Sequence, residues 1–78
     1  MEMTQRKKKA RALKIHVESG HYTINEAREK LGEPKVAEPE ADRLLILTEE
    51  SGWLHLDRTP VRVRIEALLP KAFARVAK

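Results

Sequence analysis

The sequence predicts a small α+β domain with three helices, a C-terminal β-hairpin and a short final helix. Three patterns carry this prediction: an apolar stripe with helical spacing near the N-terminus, a capping box at residues 23–26, and a strict two-residue alternation at residues 61–66. A chain of 78 residues is long enough for one domain with a core of marginal size. We therefore predict a single domain over residues 1–78, with residues 1–8 as a candidate flexible basic arm.

The first helix is predicted over residues 4–19. Its apolar stripe has the i, i+3, i+7 spacing of a buried helix face and consists of Ala10, Leu13 and Val17. A second face carries the charged side chains of Lys7, Arg11, Lys14 and Glu18. Gly20 follows as a left-handed stop signal, which ends the helix.

The second helix is predicted over residues 24–31 because a capping box precedes it. The Thr23 hydroxyl can accept from the third backbone N–H of the helix, and Glu26 can reach back to the backbone of Thr23. Its inward face consists of Ile24, Ala27 and Leu31, and Gly32 follows as a C-cap.

Residues 33–40 are predicted to be a linker, since Pro34 and Pro39 disfavour helix at the residues before them. A third helix is predicted over residues 40–51, with acidic residues in its first turn. The apolar run 44–47 also allows a buried strand that turns at Ser51 and Gly52.

Residues 53–66 carry the clearest β pattern. Between residues 61 and 66 every odd position is apolar and every even position is charged, which predicts a hairpin with strands at 53–57 and 61–66. Pro70 can then open a last short helix whose inward residues are Phe73, Val76 and Ala77.

These elements define a predicted core of twelve side chains, with Trp53 partly covered beside them. They are Leu13, Val17, Ile24, Ala27, Leu31, Leu44, Leu45, Leu54, Leu56, Val61, Val63 and Ile65.

The order of elements resembles the winged helix-turn-helix superfamily. The residues that carry the resemblance are 22–32 for the second helix, 44–53 for the third helix and 53–65 for the wing. The resemblance implies a winged-helix-like domain that binds DNA. Two positions depart from the pattern: Arg28 stands where a small buried residue is usual, and the turn before the third helix is long and carries both prolines.

Charge is sorted along the chain into three blocks. Residues 1–20 hold six Lys or Arg against two acids, residues 21–52 hold four against eight, and residues 53–78 hold six against two. This distribution attracts a polyanion to both ends of the chain and repels it from the middle. Duplex DNA is therefore the expected partner, and the protein is expected to act as a transcriptional regulator or accessory factor. Its candidate phosphate contacts are Arg6, Lys7, Lys8, Lys9, Arg11, Lys14, Arg58, Arg62 and Arg64.

The acids of the middle block argue against reading of the DNA major groove by the predicted third helix, because they would approach a wall of phosphates. They also allow an alternative function, in which the acidic segment docks on a basic protein partner, as in a small inhibitor or adaptor subunit. The acids concerned are Glu38, Glu40, Asp42, Glu49 and Glu50.

The sequence contains few signals for an enzyme, a metal site or a membrane span. There is no Ser/His/Asp or Cys/His arrangement and no Gly-rich phosphate loop, so no enzyme and no cofactor are predicted. His16, His21 and His55 lack metal-site spacing and the chain has no cysteine, so no metal site is predicted either. No apolar run reaches the length of a membrane span, and a cytoplasmic setting is expected.

Overall fold

The computed structural model describes the backbone of residues 2–74 and the side chains of residues 8–74. The elements in chain order are α1 (Glu2–Glu18), α2 (Ile24–Lys30), β1 (Leu45–Thr48), β2 (Gly52–His55) and α3 (Lys71–Ala74). Single 3-10 turns at Pro39–Asp42 and Ile65–Ala67 interrupt the two long connections. The chain is thus a small α+β structure with three α-helices and a two-stranded antiparallel hairpin. Within the described residues, no helix is both long and apolar enough to cross a bilayer.

Helix α1 confirms the first predicted helix and ends in a Schellman motif. Gly20 has a φ of 80°, its N–H donates to the carbonyl of Val17 at 3.2 Å, and the N–H of His21 donates to the carbonyl of His16 at 2.8 Å. This pair of hydrogen bonds satisfies carbonyls that the helix end leaves without partners. The motif also brings the side chains at positions 16 and 21 together. At the other end, the backbone is helical from Glu2, within the candidate arm.

Helix α2 confirms the predicted capping box in both directions. The N–H of Glu26 donates to the Thr23 hydroxyl oxygen at 3.0 Å, and the N–H of Thr23 donates to the Glu26 carboxylate at 2.8 Å. The helix is short, and its stability depends on packing as well as on this cap.

The predicted third helix over residues 40–51 is wrong. Pro39 opens only one 3-10 turn, and residues 45–48 form strand β1 instead. Residues 49–51 form a turn, and Gly52, with a φ of 70°, begins β2. The two strands are therefore close in sequence and pair as a hairpin. The apolar run at 44–47 therefore takes the strand alternative. A strand replaces the third helix that the winged-helix resemblance implies, and the winged-helix assignment stays a prediction.

The predicted pairing of residues 53–57 with residues 61–66 is also wrong. Strand β2 pairs with β1, placing Leu45 opposite His55 and Leu47 opposite Trp53. The segment after β2 makes one bridge only, between Leu54 and Pro60. Proline has no backbone N–H to donate, so it cannot sustain a ladder at this point.

The two-residue alternation of the predicted second strand survives as a burial pattern. Ile65 is buried, Val61 and Val63 are half-buried, and the charged residues between them are exposed. An extended chain alternates its side chains whether or not a neighbouring strand bonds to it, which explains why the pattern did not guarantee a strand.

One hydrophobic core joins the elements. Its buried members are Ala10, Leu13, Val17, Ile24, Ala27, Ala41, Leu45, Ile65 and Phe73. Of the predicted core, Leu31, Val61 and Val63 are only partly buried, and Leu54 is 8% exposed. Leu44 and Leu56 were predicted to be buried and are 37% and 51% exposed, because both lie just outside the strands and their faces are not covered there. Trp53 is half-buried against the core, as predicted.

Candidate nucleic-acid interface

The first group of candidate phosphate contacts lies on α1. Lys8, Lys9 and Arg11 are exposed, whereas the Nζ of Lys14 lies 2.7 Å from a carboxylate oxygen of Glu18 in an i, i+4 ion pair. The side chains of Arg6 and Lys7 lie outside the described residues. We define Lys8, Lys9 and Arg11 as the helix patch. Each is exposed, and none forms an ion pair with another described side chain, so a phosphate can reach it from solvent.

The second group lies after β2. Arg58, Arg62 and Arg64 are all exposed, and we define them as the loop patch. Arg58 has a φ of 71°, a left-handed conformation that few residues other than glycine adopt. The hydrogen bonds of the turn hold it there: the N–H and hydroxyl of Thr59 donate to the Asp57 carboxylate at 3.1 and 2.7 Å.

The hydrogen bonds from Thr59, the side-chain hydroxyl first and the backbone N–H second, lower the pKa of Asp57 below its ordinary value. The carboxylate therefore keeps its negative charge beside Arg58 under all but strongly acidic conditions.

The sheet lies between the C-terminal end of α1 and the segment that follows β2. Ile46 bridges to Leu54 on one side and to Ser19 on the other, while Leu54 bridges onward to Pro60. The backbone order across the sheet is therefore Ser19, Ile46, Leu54, Pro60, which spans roughly 14 Å at ~4.8 Å per step. The end of α1 and Pro60, which lies within the segment of the loop patch, are therefore at opposite edges of this strip. The two patches belong to different elements of the fold, one to α1 and one to the segment after β2.

The five acids that could form a protein-docking surface are arranged differently, because three of them have partners inside the fold. Glu38 caps the 3-10 turn by accepting from the N–H of Glu40 at 3.4 Å. Asp42 accepts from the side-chain amide of Asn25 at 2.8 Å. Glu49 and Glu50, in contrast, are exposed in the turn between β1 and β2.

Glu40 belongs to a polar network centred on His55. Its carboxylate lies 2.8 Å from the Nε2 of His55 and 3.7 Å from the guanidinium of Arg43, and only 15% of its side chain is exposed. The Nδ1 of His55 lies 2.7 Å from the hydroxyl oxygen of Thr59. The network links the 3-10 turn, β2 and the turn that carries Arg58, so Glu40 helps to fix the position of the loop patch.

Arg28 has a structural role that sequence reasoning missed. Its guanidinium donates to the carbonyls of Pro34 at 2.6 Å and Leu68 at 2.9 Å, and only 11% of the side chain is exposed. Glu33, 3.9 Å from the same guanidinium, accepts from the N–H groups of Lys71 and Ala72 and so caps α3. The departure of Arg28 from the winged-helix pattern was the signal: a large cation at a position that is usually small needs carbonyl or carboxylate partners.

Asn25 is the second residue that sequence reasoning missed. It is 3% exposed, and its amide pairs with both backbone groups of Val36, donating at 3.0 Å and accepting at 2.9 Å. The side chain thus serves the linker backbone as a neighbouring strand would. A single Asn in an amphipathic helix gives no sequence signal that distinguishes this role from exposure.

Comparison of the chain with protein-family models, with curated proteins and with solved structures finds no match. The exposure and bonding of the chain's own residues are therefore the basis for a functional assignment.

Proposed function

We propose that this chain binds duplex nucleic acid, with DNA as the expected duplex, through contacts from the helix patch and the loop patch to phosphates. The observation that supports the proposal most strongly is that the cations are more accessible to another molecule than the acids are. Six cations of the two patches are exposed, whereas three of the five acids assigned to a protein-docking surface have partners within the fold.

Contacts of this kind position a protein on the duplex and read no bases. Binding should therefore be weakly sequence-selective and strongly dependent on salt. If the six cations neutralise about four to six phosphates, the logarithm of the binding constant should fall against the logarithm of the salt concentration with a slope of about −4 to −5.

The test is a salt titration of binding to a short duplex DNA, followed by fluorescence anisotropy, with duplex RNA as a second arm. Replacing Lys8, Lys9 and Arg11 together by Ala should flatten the slope by about 2 to 3, and replacing Arg62 and Arg64 by Ala should flatten it by about 1 to 2. Because the two patches share no residue, the two losses should add when the variants are combined.

Lys35→Ala is the matched control, since Lys35 is an exposed cation in the acidic middle block. It should leave the slope nearly unchanged. Absence of duplex affinity at about 50 mM salt, or equal flattening by Lys35→Ala and by a helix-patch variant, would overturn the proposal. Tighter binding of duplex RNA than of duplex DNA would identify RNA as the ligand, and the two patches would remain the proposed binding surface.

A further inference from the structure

The end of α1 brings two histidines together. The Nδ1 atoms of His16 and His21 lie 3.2 Å apart, with ring centroids at 5.4 Å and ring planes tilted by 53°. His16 is half-buried, His21 is exposed, and both rings are reachable from solvent. The His16 ring also contacts the Tyr22 ring in an edge-on arrangement, with 5.3 Å between the ring centroids.

The backbone holds this pair by a definite mechanism. In a Schellman motif the N–H of the second residue past the helix bonds to the carbonyl five positions earlier, and the side chains of these two residues commonly touch. Here those two positions are His21 and His16, joined by the 2.8 Å backbone hydrogen bond, and Gly20 supplies the required left-handed residue. The backbone therefore holds the two residues side by side, and the ring torsions then set the distance between the nitrogens.

The separation of the nitrogens suits a metal ion. Two imidazole nitrogens bound to one tetrahedral Zn²⁺ at about 2.0–2.1 Å lie roughly 3.3–3.4 Å apart. The observed 3.2 Å is also compatible with one neutral ring donating to the other, so the same geometry serves a hydrogen bond without metal and a bidentate site with it. The helix C-terminus carries a partial negative charge, which favours a cation at this place.

From these contacts we infer that His16 and His21 form a bidentate site for a divalent transition-metal ion of the Zn²⁺, Ni²⁺ and Cu²⁺ class, for which imidazole is a suitable ligand. In the described side chains, no group of three or more His, Cys, Asp or Glu is placed to hold a metal. Water therefore completes the coordination shell, and the ion is exchangeable. The bound ion ties the end of α1 to the segment that leads into α2.

The experiment uses the full chain without a histidine tag, titrated with ZnCl2 and with CuCl2 near neutral pH by calorimetry. We expect one ion per chain, tighter binding of Cu²⁺ than of Zn²⁺, reversal by EDTA and a higher Tm in the metal-bound state. Affinity should fall as the buffer is acidified, because only unprotonated imidazole nitrogens bind a metal.

Substitution separates the pair from the remaining histidine. His16→Asn and His21→Asn should each weaken binding by about tenfold or more, since either change removes the advantage of two linked ligands. His55→Asn should bind as the wild type does. Equal loss in all three variants, or no loss in the first two, would overturn the inference.

A second measurement keeps the test independent of how well the variants fold. In the wild-type protein, substoichiometric Cu²⁺ should broaden the ring NMR signals of His16 and His21 before those of His55. Broadening of His55 first would contradict the site.

Discussion

The basic ends and the acidic middle of this chain carry opposite charge, and the structure also treats their charges differently. In the helix patch and the loop patch the cations are exposed to solvent. In the middle, Glu38, Glu40 and Asp42 accept hydrogen bonds or pair with cations inside the fold. Net charges of equal magnitude and opposite sign thus conceal a difference in how many charged side chains of each block are free to contact another molecule.

The difference is the reason for proposing duplex binding ahead of a docking role for the acidic segment. An acid that already holds a backbone turn or a buried amide has part of its acceptor capacity in use, and losing that contact to a partner would cost free energy. An exposed lysine or arginine pays mainly side-chain entropy and releases counterions from the duplex. The cations of the two patches are consequently more available for binding than the three acids that have partners in the fold.

The largest expected effect concerns the bonding that ties the middle block into the fold. Asn25→Ala removes the amide that serves both backbone groups of Val36 and one oxygen of Asp42. Leaving buried polar groups without partners should cost about 2–3 kcal/mol. For a domain of this size the Tm should then fall by at least about 8 °C.

Thermal unfolding followed by circular dichroism measures this change. Glu29→Ala, on an exposed position of the same helix, is the matched control and should change the Tm little. A Tm for Asn25→Ala within the range of that control would show that the middle block does not depend on this amide.

A smaller effect should distinguish the structural acids from the exposed ones. Glu40→Gln keeps the shape of the side chain but removes the carboxylate that pairs with His55 and Arg43, and it should cost about 1 kcal/mol of stability. The pair Glu49→Gln and Glu50→Gln should change stability by no more than about 0.5 kcal/mol.

Urea unfolding of these variants measures the effect of each acid on stability, and duplex binding measures its effect on affinity. Neutralising Glu49 and Glu50 should leave duplex affinity unchanged or raise it, because like charge near the phosphates is removed. If Glu40→Gln proved neutral and the exposed pair costly, the assignment of structural and exposed acids would be reversed.

The smallest expected effect is at Asp57. Its pKa is lowered from the ordinary 3.8 by the donors of Thr59. A carboxylate with a lowered pKa contributes stability that is present above the unfolded-state pKa and lost as the pH falls below it. Asp57→Asn should therefore lose less Tm than the wild type when the pH is lowered from about 5 to about 3. Parallel losses of Tm in the two proteins would mean that the turn contributes nothing to the acid response.

Local signals in the sequence predicted the parts of the structure that depend on neighbouring residues. The capping box at Thr23, the glycine stop at Gly20 and the stripe of α1 all formed as predicted. So did the outward placement of Arg62 and Arg64, because an extended chain alternates its side chains regardless of its partners.

The candidate site likewise has features that local sequence predicts and features that depend on distant residues. The exposure of the cations followed from their spacing, whereas the bonding of Glu40 to His55 and of Asp42 to Asn25 joins residues 15 and 17 positions apart. The proximity of His16 and His21 lies between these cases. This proximity follows from a local motif once Gly20 is recognised as the left-handed residue. The two histidines are five positions apart, which is not a metal-ligand spacing of a regular helix.

Local patterns were enough to predict the two N-terminal helices, the turn of the final helix and the exposed positive charge, because caps, stop residues and side-chain spacing act within about one helical turn. Packing, and for α3 the cap from Glu33, completes these elements. Phe73 is buried as predicted, whereas the predicted inward residues Val76 and Ala77 lie outside the described residues. Tertiary structure decided which segment pairs with Trp53 and the other residues of β2. The run at 44–47 and the alternating segment at 61–66 both had strand character, and the choice between them depended on chain geometry. A tight turn before Gly52 brings the first run alongside β2, while Pro60 limits the second segment to a single bridge.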